Sequence, residues 1–188
     1  MRVALFGGSF NPPHVAHQLA ALYVLETRPL DQLWLIPCFQ HPFEKSLEPF
    51  ADRMRMCELA AAALGPRVLV SDVEGRLGGE SRTLRTVQAL RSSHPADEFS
   101  LVIGSDLEGE TASWYGATEL QRTVPFIVVG RDGHRGAGDS AAAVAMPAIS
   151  STEVRDRLRA GRPVDHLVPA AVLDYIRQRG LYGMGGSP

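Results

Sequence analysis

The stretch RVALFGGSFNPPHVAH, residues 2–17, constrains this chain more than any other. Arg2 to Phe6, apolar after the first residue and partly β-branched, reads as a short buried strand. Gly7 and Gly8 break that pattern, and Pro12 and Pro13 lack the N–H that a central strand needs, so Ser9 to Pro13 cannot extend it. Asn11 ahead of two prolines predicts a helix start: a side-chain acceptor followed by fixed φ in the first turn. A strand, a glycine turn and a helix N-terminus make an anion site from backbone N–H groups and the helix dipole. His14 and His17, three apart, share one face of the helix at its positive end. This is a place to hold phosphate. The pair also has the form of two metal ligands, but a third would have to come from elsewhere.

The rest of the chain alternates in the same way. The pattern predicts helices over Val15–Glu26, Pro49–Leu64, Thr83–Ser93, Ala117–Arg122, Ser151–Arg159 and Pro169–Arg179. It predicts further strands over Gln32–Ile36, Val68–Val73, Ser100–Ile103 and Pro125–Val129. Residues 38–50 read as a long loop, Gly75, Gly78 and Gly79 as an open loop, and Gly130 to Ala143 as a mobile one. Alternating strands and helices predict an α/β fold, a Rossmann-like, doubly wound parallel sheet in a single domain over residues 1–183. Residues 184–188 are expected to form a disordered tail. Ligands of such sheets bind at the carboxyl ends of the strands.

Composition narrows the partners. A net charge of −2 across 188 residues gives no global field for nucleic acid or membrane. Cys38 and Cys57 lack CxxC spacing and read as reduced thiols. The N-terminus has no signal-peptide core, and no apolar run approaches spanning length, so a soluble, cytoplasmic protein is expected.

A second chemical signal is ISSTEVR, Ile149 to Arg155. Ser150 or Ser151 can cap a helix whose early N–H groups face an anion, and Arg155 adds a forked cation one turn on. An ordinary capping box, Ser150 with Glu153, accounts for the same residues taken alone. No Walker A sequence is present.

Residues 7–17, GGSFNPPHVAH, resemble the phosphate-binding signature of the nucleotidylyltransferase superfamily, G-[TS]-F-[DN]-P-x-H-x-G-H, with Ala16 in place of the usual glycine. ISSTEVR resembles that superfamily's second motif, I-S-[ST]-T-x-[IV]-R. The run from Gly104 to Gly133, the helix start SRTLRTVQAL and the ending VPAAVLDYIRQRGLY are similar to nicotinate-nucleotide adenylyltransferases. The resemblance implies an enzyme that adenylates nicotinate mononucleotide with ATP, with Mg²⁺ carried on the phosphates and no protein metal site. It implies His14, His17 and Arg155 as catalytic groups. Gly7, Gly8, Ser9, Phe10, Gly104, Ile149, Ser151 and Thr152 would join them in binding ATP. On the acceptor side it implies Lys45, Arg82, Thr83, Asp106, Trp114 and Tyr115.

Two departures fall on that acceptor side. Residues 40–45 read QHPFEK where bacterial members carry Pro-Pro-His-Lys, and KSLEPFADR, Lys45 to Arg53, resembles the K-x-L-x-P-x-x-x-R of eukaryotic-type pyridine nucleotide adenylyltransferases. Arg82 stands where the family prefers an aromatic ring. A transferase using nicotinamide mononucleotide or another phosphorylated acceptor, and a non-catalytic nucleotide-binding module, are the rival expectations. The sequence leaves a homo-oligomer open.

Overall fold

A computed structural model describes residues 1–41, 46–130 and 145–184. Lys45, most of the expected loop Gly130–Ala143 and residues 185–188 lie outside them.

Strand β1, Arg2–Gly8, is the axis of the fold. It pairs in parallel with β2, Gln32–Pro37, on one side and with β4, Glu98–Gly104, on the other. Strand β3, Val68–Val70, adds to β2, and β5, Phe126–Val129, adds to β4. Among the described residues this gives one all-parallel sheet in the order β3-β2-β1-β4-β5. The order reverses between β1 and β4, where the chain leaves the sheet to opposite sides and a crevice opens at the carboxyl ends.

Side-chain alternation sorts the core into two layers. Ala4, Leu33 and Leu35 face helix α1, Val15–Thr27, through Ala20, Ala21 and Val24. Val3, Leu5, Trp34 and Ile36 face the other way, onto Leu84, Val87 and Leu90 of α4, Thr83–Ser93. A third cluster joins Met56 and Ala60 of α2, Phe50–Ala62, to Val154 of α7, Ser151–Arg159, and to Val172 and Ile176 of α8, Ala170–Arg179. Short helices α3, Val73–Leu77, α5, Ser105–Glu108, and α6, Ala117–Thr123, complete the outer layers. Among the described residues no helix is long and apolar enough to cross a membrane.

Three local expectations are corrected. The glycines do not end β1: Gly7 and Gly8 stay in register with Ile36 and Pro37, because a parallel ladder needs only their backbone groups. Strand β3 stops at Val70, and Val73–Leu77 turns as α3 where an open loop was expected. Helix α1 is capped by His14 and not by Asn11; the Asn11–Pro12 peptide is cis, and Asn11 is committed to other partners.

Candidate active site

A cleft of about 570 Å³ lies over the carboxyl ends of β1, β4 and β5, within the usual size for a small-molecule site. Gly7, Gly8, Ser9 and Phe10 form its floor, with His14 and His17 beside them. Gly104 and Asp106 close one flank, and Ile149, Ser151, Thr152 and Arg155 close another. The two sequence signals therefore meet across one space, although more than 130 residues separate them.

The turn after β1 is held in an unusual conformation. Phe10, only 1 % exposed, has φ +46°, a left-handed value that side chains seldom adopt and that packing must maintain. Its ring sits edge-on against Phe6 and His17 at 5.8 and 4.9 Å. His17 in turn stacks on His14, ring centroids 3.7 Å apart. The backbone N–H of His14 donates to Nδ1 of His17 at 3.1 Å, so the proton of the neutral ring sits on Nε2. His17 thus carries its donor on Nε2. The helix end also gives less backbone than expected, since the Val15 N–H is taken by the Leu167 carbonyl at 2.9 Å.

Helix α7 docks directly on this turn. Ser150 caps it by accepting from the Glu153 N–H at 3.1 Å. The Glu153 side chain pairs with Arg157, so only half of the capping box forms. Ser151 donates to the Pro12 carbonyl at 2.9 Å. Arg155 spans Asn11 and Thr152, donating to the Asn11 carbonyl at 2.8 Å and to the Thr152 hydroxyl at 3.1 Å.

On the β4 flank Gly104 leaves room for the Asp106 side chain. A Cβ at Gly104 would collide with the Asp106 carboxylate, which folds back over the strand end. Among the described residues Asp106 is the one carboxylate lining the cleft; its other polar walls are imidazole, guanidinium, hydroxyl, the Asn11 amide and backbone. That donor set fits a divalent ion arriving on phosphate oxygens with its waters.

The remaining acceptor-side residues are gathered elsewhere. Arg82, N-cap of α4, pairs with Glu80 and lies over the Tyr115 ring at 5.7 Å, next to Thr83 in the first turn. Tyr115 is 60 % exposed, and Trp114 packs on the core layer beneath α4. None of these four lines the cleft itself. Lys45 lies outside the described residues.

Three residues that the sequence had not placed in the site hold it together. Asn11, 2 % exposed, accepts at Oδ1 from the Tyr182 hydroxyl at 3.0 Å and from the Glu48 N–H at 3.2 Å. Burial, with the Glu48 carboxylate nearby, holds the Tyr182 phenol well above its ordinary range, so it remains a donor. Arg53, 1 % exposed, donates to the carbonyls of Ser9, Cys38, Phe39 and Glu48. Arg53 and Tyr182 did lie inside quoted motifs, the end of KSLEPFADR and the closing Leu-Tyr, but spacing alone does not reveal burial.

Comparison with known proteins agrees with this geometry. Residues 5–157 match a family model described as cytidylyltransferase-like. The chain is 47 % identical over 186 residues to a probable nicotinate-nucleotide adenylyltransferase of Anaeromyxobacter dehalogenans, covering 96 % of each chain. It is 38 % identical to a protein of the same description from Myxococcus xanthus, covering 100 % of this chain and 98 % of that one. Its fold matches that of Plasmodium falciparum nicotinic acid mononucleotide adenylyltransferase complexed with NaAD, with TM-score 0.83, 21 % identity and 99 % of each chain covered.

Proposed function

Because the chain belongs to the cytidylyltransferase-like family, we propose that it transfers the adenylyl group of ATP to nicotinate mononucleotide, forming deamido-NAD and pyrophosphate in NAD biosynthesis. The observation that carries this reading is the convergence of the His14–His17 stack and Arg155 on one cleft, in a chain related over nearly its full length to proteins of that description.

In this mechanism a phosphate oxygen of the acceptor attacks the α-phosphorus of ATP in line. The new P–O bond forms as the bond to the β-phosphate oxygen breaks, and pyrophosphate leaves with that electron pair. No covalent enzyme intermediate is needed, so the protein's part is placement and charge stabilisation. Gly7, exposed in the cleft with nothing within 4 Å of where a Cβ would stand, lets the nucleotide approach the backbone. His17, through Nε2–H, and His14 hold the α-phosphate and the charge growing on the bridging oxygen. Ser151, Thr152 and Arg155 hold the departing phosphates. Mg²⁺ carried on the phosphates would neutralise charge on the leaving group, and Asp106 would be the residue to hold it through water. We assign the reaction to the cytoplasm.

The deciding experiment is pyrophosphate release with ATP against a panel of phosphorylated acceptors. Release confined to acceptors other than pyridine mononucleotides would overturn the substrate assignment. Within that assay, Arg155→Lys keeps the charge but loses the planar fork that spans Asn11 and Thr152. Its KM for ATP is expected to rise more than its KM for the acceptor; the opposite order would put Arg155 on the wrong substrate.

Acid is expected to win over amide at the acceptor ring. A carboxylate accepts hydrogen bonds with both oxygens from the first turn of α4, which begins at Thr83. A carboxamide must turn its NH₂ toward one donor, at a cost of about 1–3 kcal/mol, or about ten- to a hundredfold in kcat/KM. Arg82→Ala should narrow the preference only if Arg82 leaves Glu80 for the ring. Equal kcat/KM for the two mononucleotides would refute the assignment.

A further inference from the structure

We infer that Asn11, oriented by Tyr182, is a positioning residue through which the phosphate turn fixes the wall formed by Ser46 and Leu47. Asn11 sits in the middle of the ATP signature, yet among the described residues its side chain bonds Ser46, Glu48 and Tyr182, all outside that signature. Its Nδ2 donates to the Ser46 carbonyl at 3.4 Å, and its Oδ1 accepts from the Glu48 N–H at 3.2 Å. Only its backbone carbonyl serves the ATP side, by receiving Arg155 at 2.8 Å. Ser46 and Leu47 line the same cleft as His14 and Arg155. One residue therefore has its main chain bound to the second phosphate motif and its side chain bound to the Ser46–Leu47 segment.

Tyr182 sets which way that amide points. Its hydroxyl donates to Oδ1 at 3.0 Å, across 171 residues of sequence, and the residue is 3 % exposed. An amide has one acceptor oxygen and one NH₂, so a donor fixed on the oxygen side forces the NH₂ toward Ser46. Tyr182 is itself doubly tied, because its own N–H donates to Oε1 of Glu48 at 3.2 Å. The C-terminal turn thus closes a ring of contacts running Asn11, Glu48 and Tyr182. The inference rests on the adenylyl-transfer reading in one respect: the Ser46–Leu47 wall, which follows Lys45, is taken to face the acceptor.

The consequence is an inversion that a purely structural residue would not show. Disturbing a side chain inside the ATP signature should act on the acceptor. In Tyr182→Phe, acceptor KM at saturating ATP is expected to rise about fivefold, the size of one ordinary hydrogen bond, with ATP KM within about twofold of wild type. Asn11→Asp, which keeps the Oδ1 acceptor and loses the Nδ2 donor, should shift the same way. Tyr175→Phe is the matched control: it also deletes one hydroxyl hydrogen bond, 2.7 Å to Asp52, but away from Asn11. It should leave both KM values unchanged. Amide exchange of Glu48 in the protein without substrates, followed by NMR, supplies a readout independent of turnover. Exchange should quicken by about fivefold in Tyr182→Phe and not in Tyr175→Phe. Unchanged exchange at Glu48, an ATP KM that moves as far as the acceptor's, or a control that copies the effect would each overturn the inference. Should wild type release no pyrophosphate with nicotinate mononucleotide, the functional reading fails, and exchange at Glu48 still decides the positioning role.

Discussion

His17→Ala is expected to lower kcat by about two to three orders of magnitude, the size of losing one preorganised transition-state donor. The structure explains why this donor costs no reorganisation at the moment of reaction. Nδ1 is occupied by the His14 N–H, one ring face lies on His14, and the edges meet Phe10 and Phe6 at 4.9 and 5.9 Å. The ring is held from several sides before substrate arrives, and Nε2–H is the donor it would turn to phosphate. Alanine keeps the helix, since it is the strongest helix former, and the half-buried site tolerates the smaller side chain. Turnover measured by pyrophosphate release, beside a circular dichroism spectrum matching wild type, tests this. Near-normal turnover in a folded His17→Ala protein would sink the proposed mechanism.

Arg53→Met is expected to be the most damaging single substitution for stability, lowering it by about 3–5 kcal/mol. Arg53 has no carboxylate partner among its hydrogen bonds; its guanidinium is satisfied by main-chain oxygens of Ser9, Cys38, Phe39 and Glu48, at 2.7 to 3.2 Å, and lies 5.5 Å from the Phe50 ring centre. These oxygens belong to the turn after β1, the segment after β2 and the approach to α2. Among the described residues no regular ladder joins these segments, and one buried cation supplies donors to all of them. Methionine matches the length and escapes the cation's desolvation, but it leaves several buried carbonyls without that donor. The unsatisfied oxygens outweigh the relief, because each buried acceptor left unmade costs about 1–3 kcal/mol. Urea unfolding followed by far-UV circular dichroism gives the value directly. A midpoint shift equivalent to less than about 0.5 kcal/mol, the usual range for a surface change, would show that water replaces the guanidinium.

What the sequence by itself determined is the part of this protein that depends on local pattern. Apolar strands alternating with amphipathic helices predict a parallel sheet, because such strands must be covered on both faces, and the sheet has that form. GGSFNPPHVAH and ISSTEVR carried the family, since backbone approach to a nucleotide demands particular residue types at fixed spacing, and the relatives bear that out. Local pattern also misled where tertiary contacts compete with it. Asn11 before two prolines has the form of a helix cap, but its amide gains more from Tyr182, Glu48 and Ser46 than from one N–H of the first turn. Gly7 and Gly8 look like a break, yet neighbouring strands on the ladder keep them extended. Only the tertiary structure decided that Arg53 is buried on carbonyls, that the Tyr182 hydroxyl donates to the Asn11 amide, and that Arg82 and Tyr115 pair with each other outside the cleft. Each of these depends on which segments the sheet order brings side by side. A partner 44 or 171 residues away leaves no trace in spacing or periodicity.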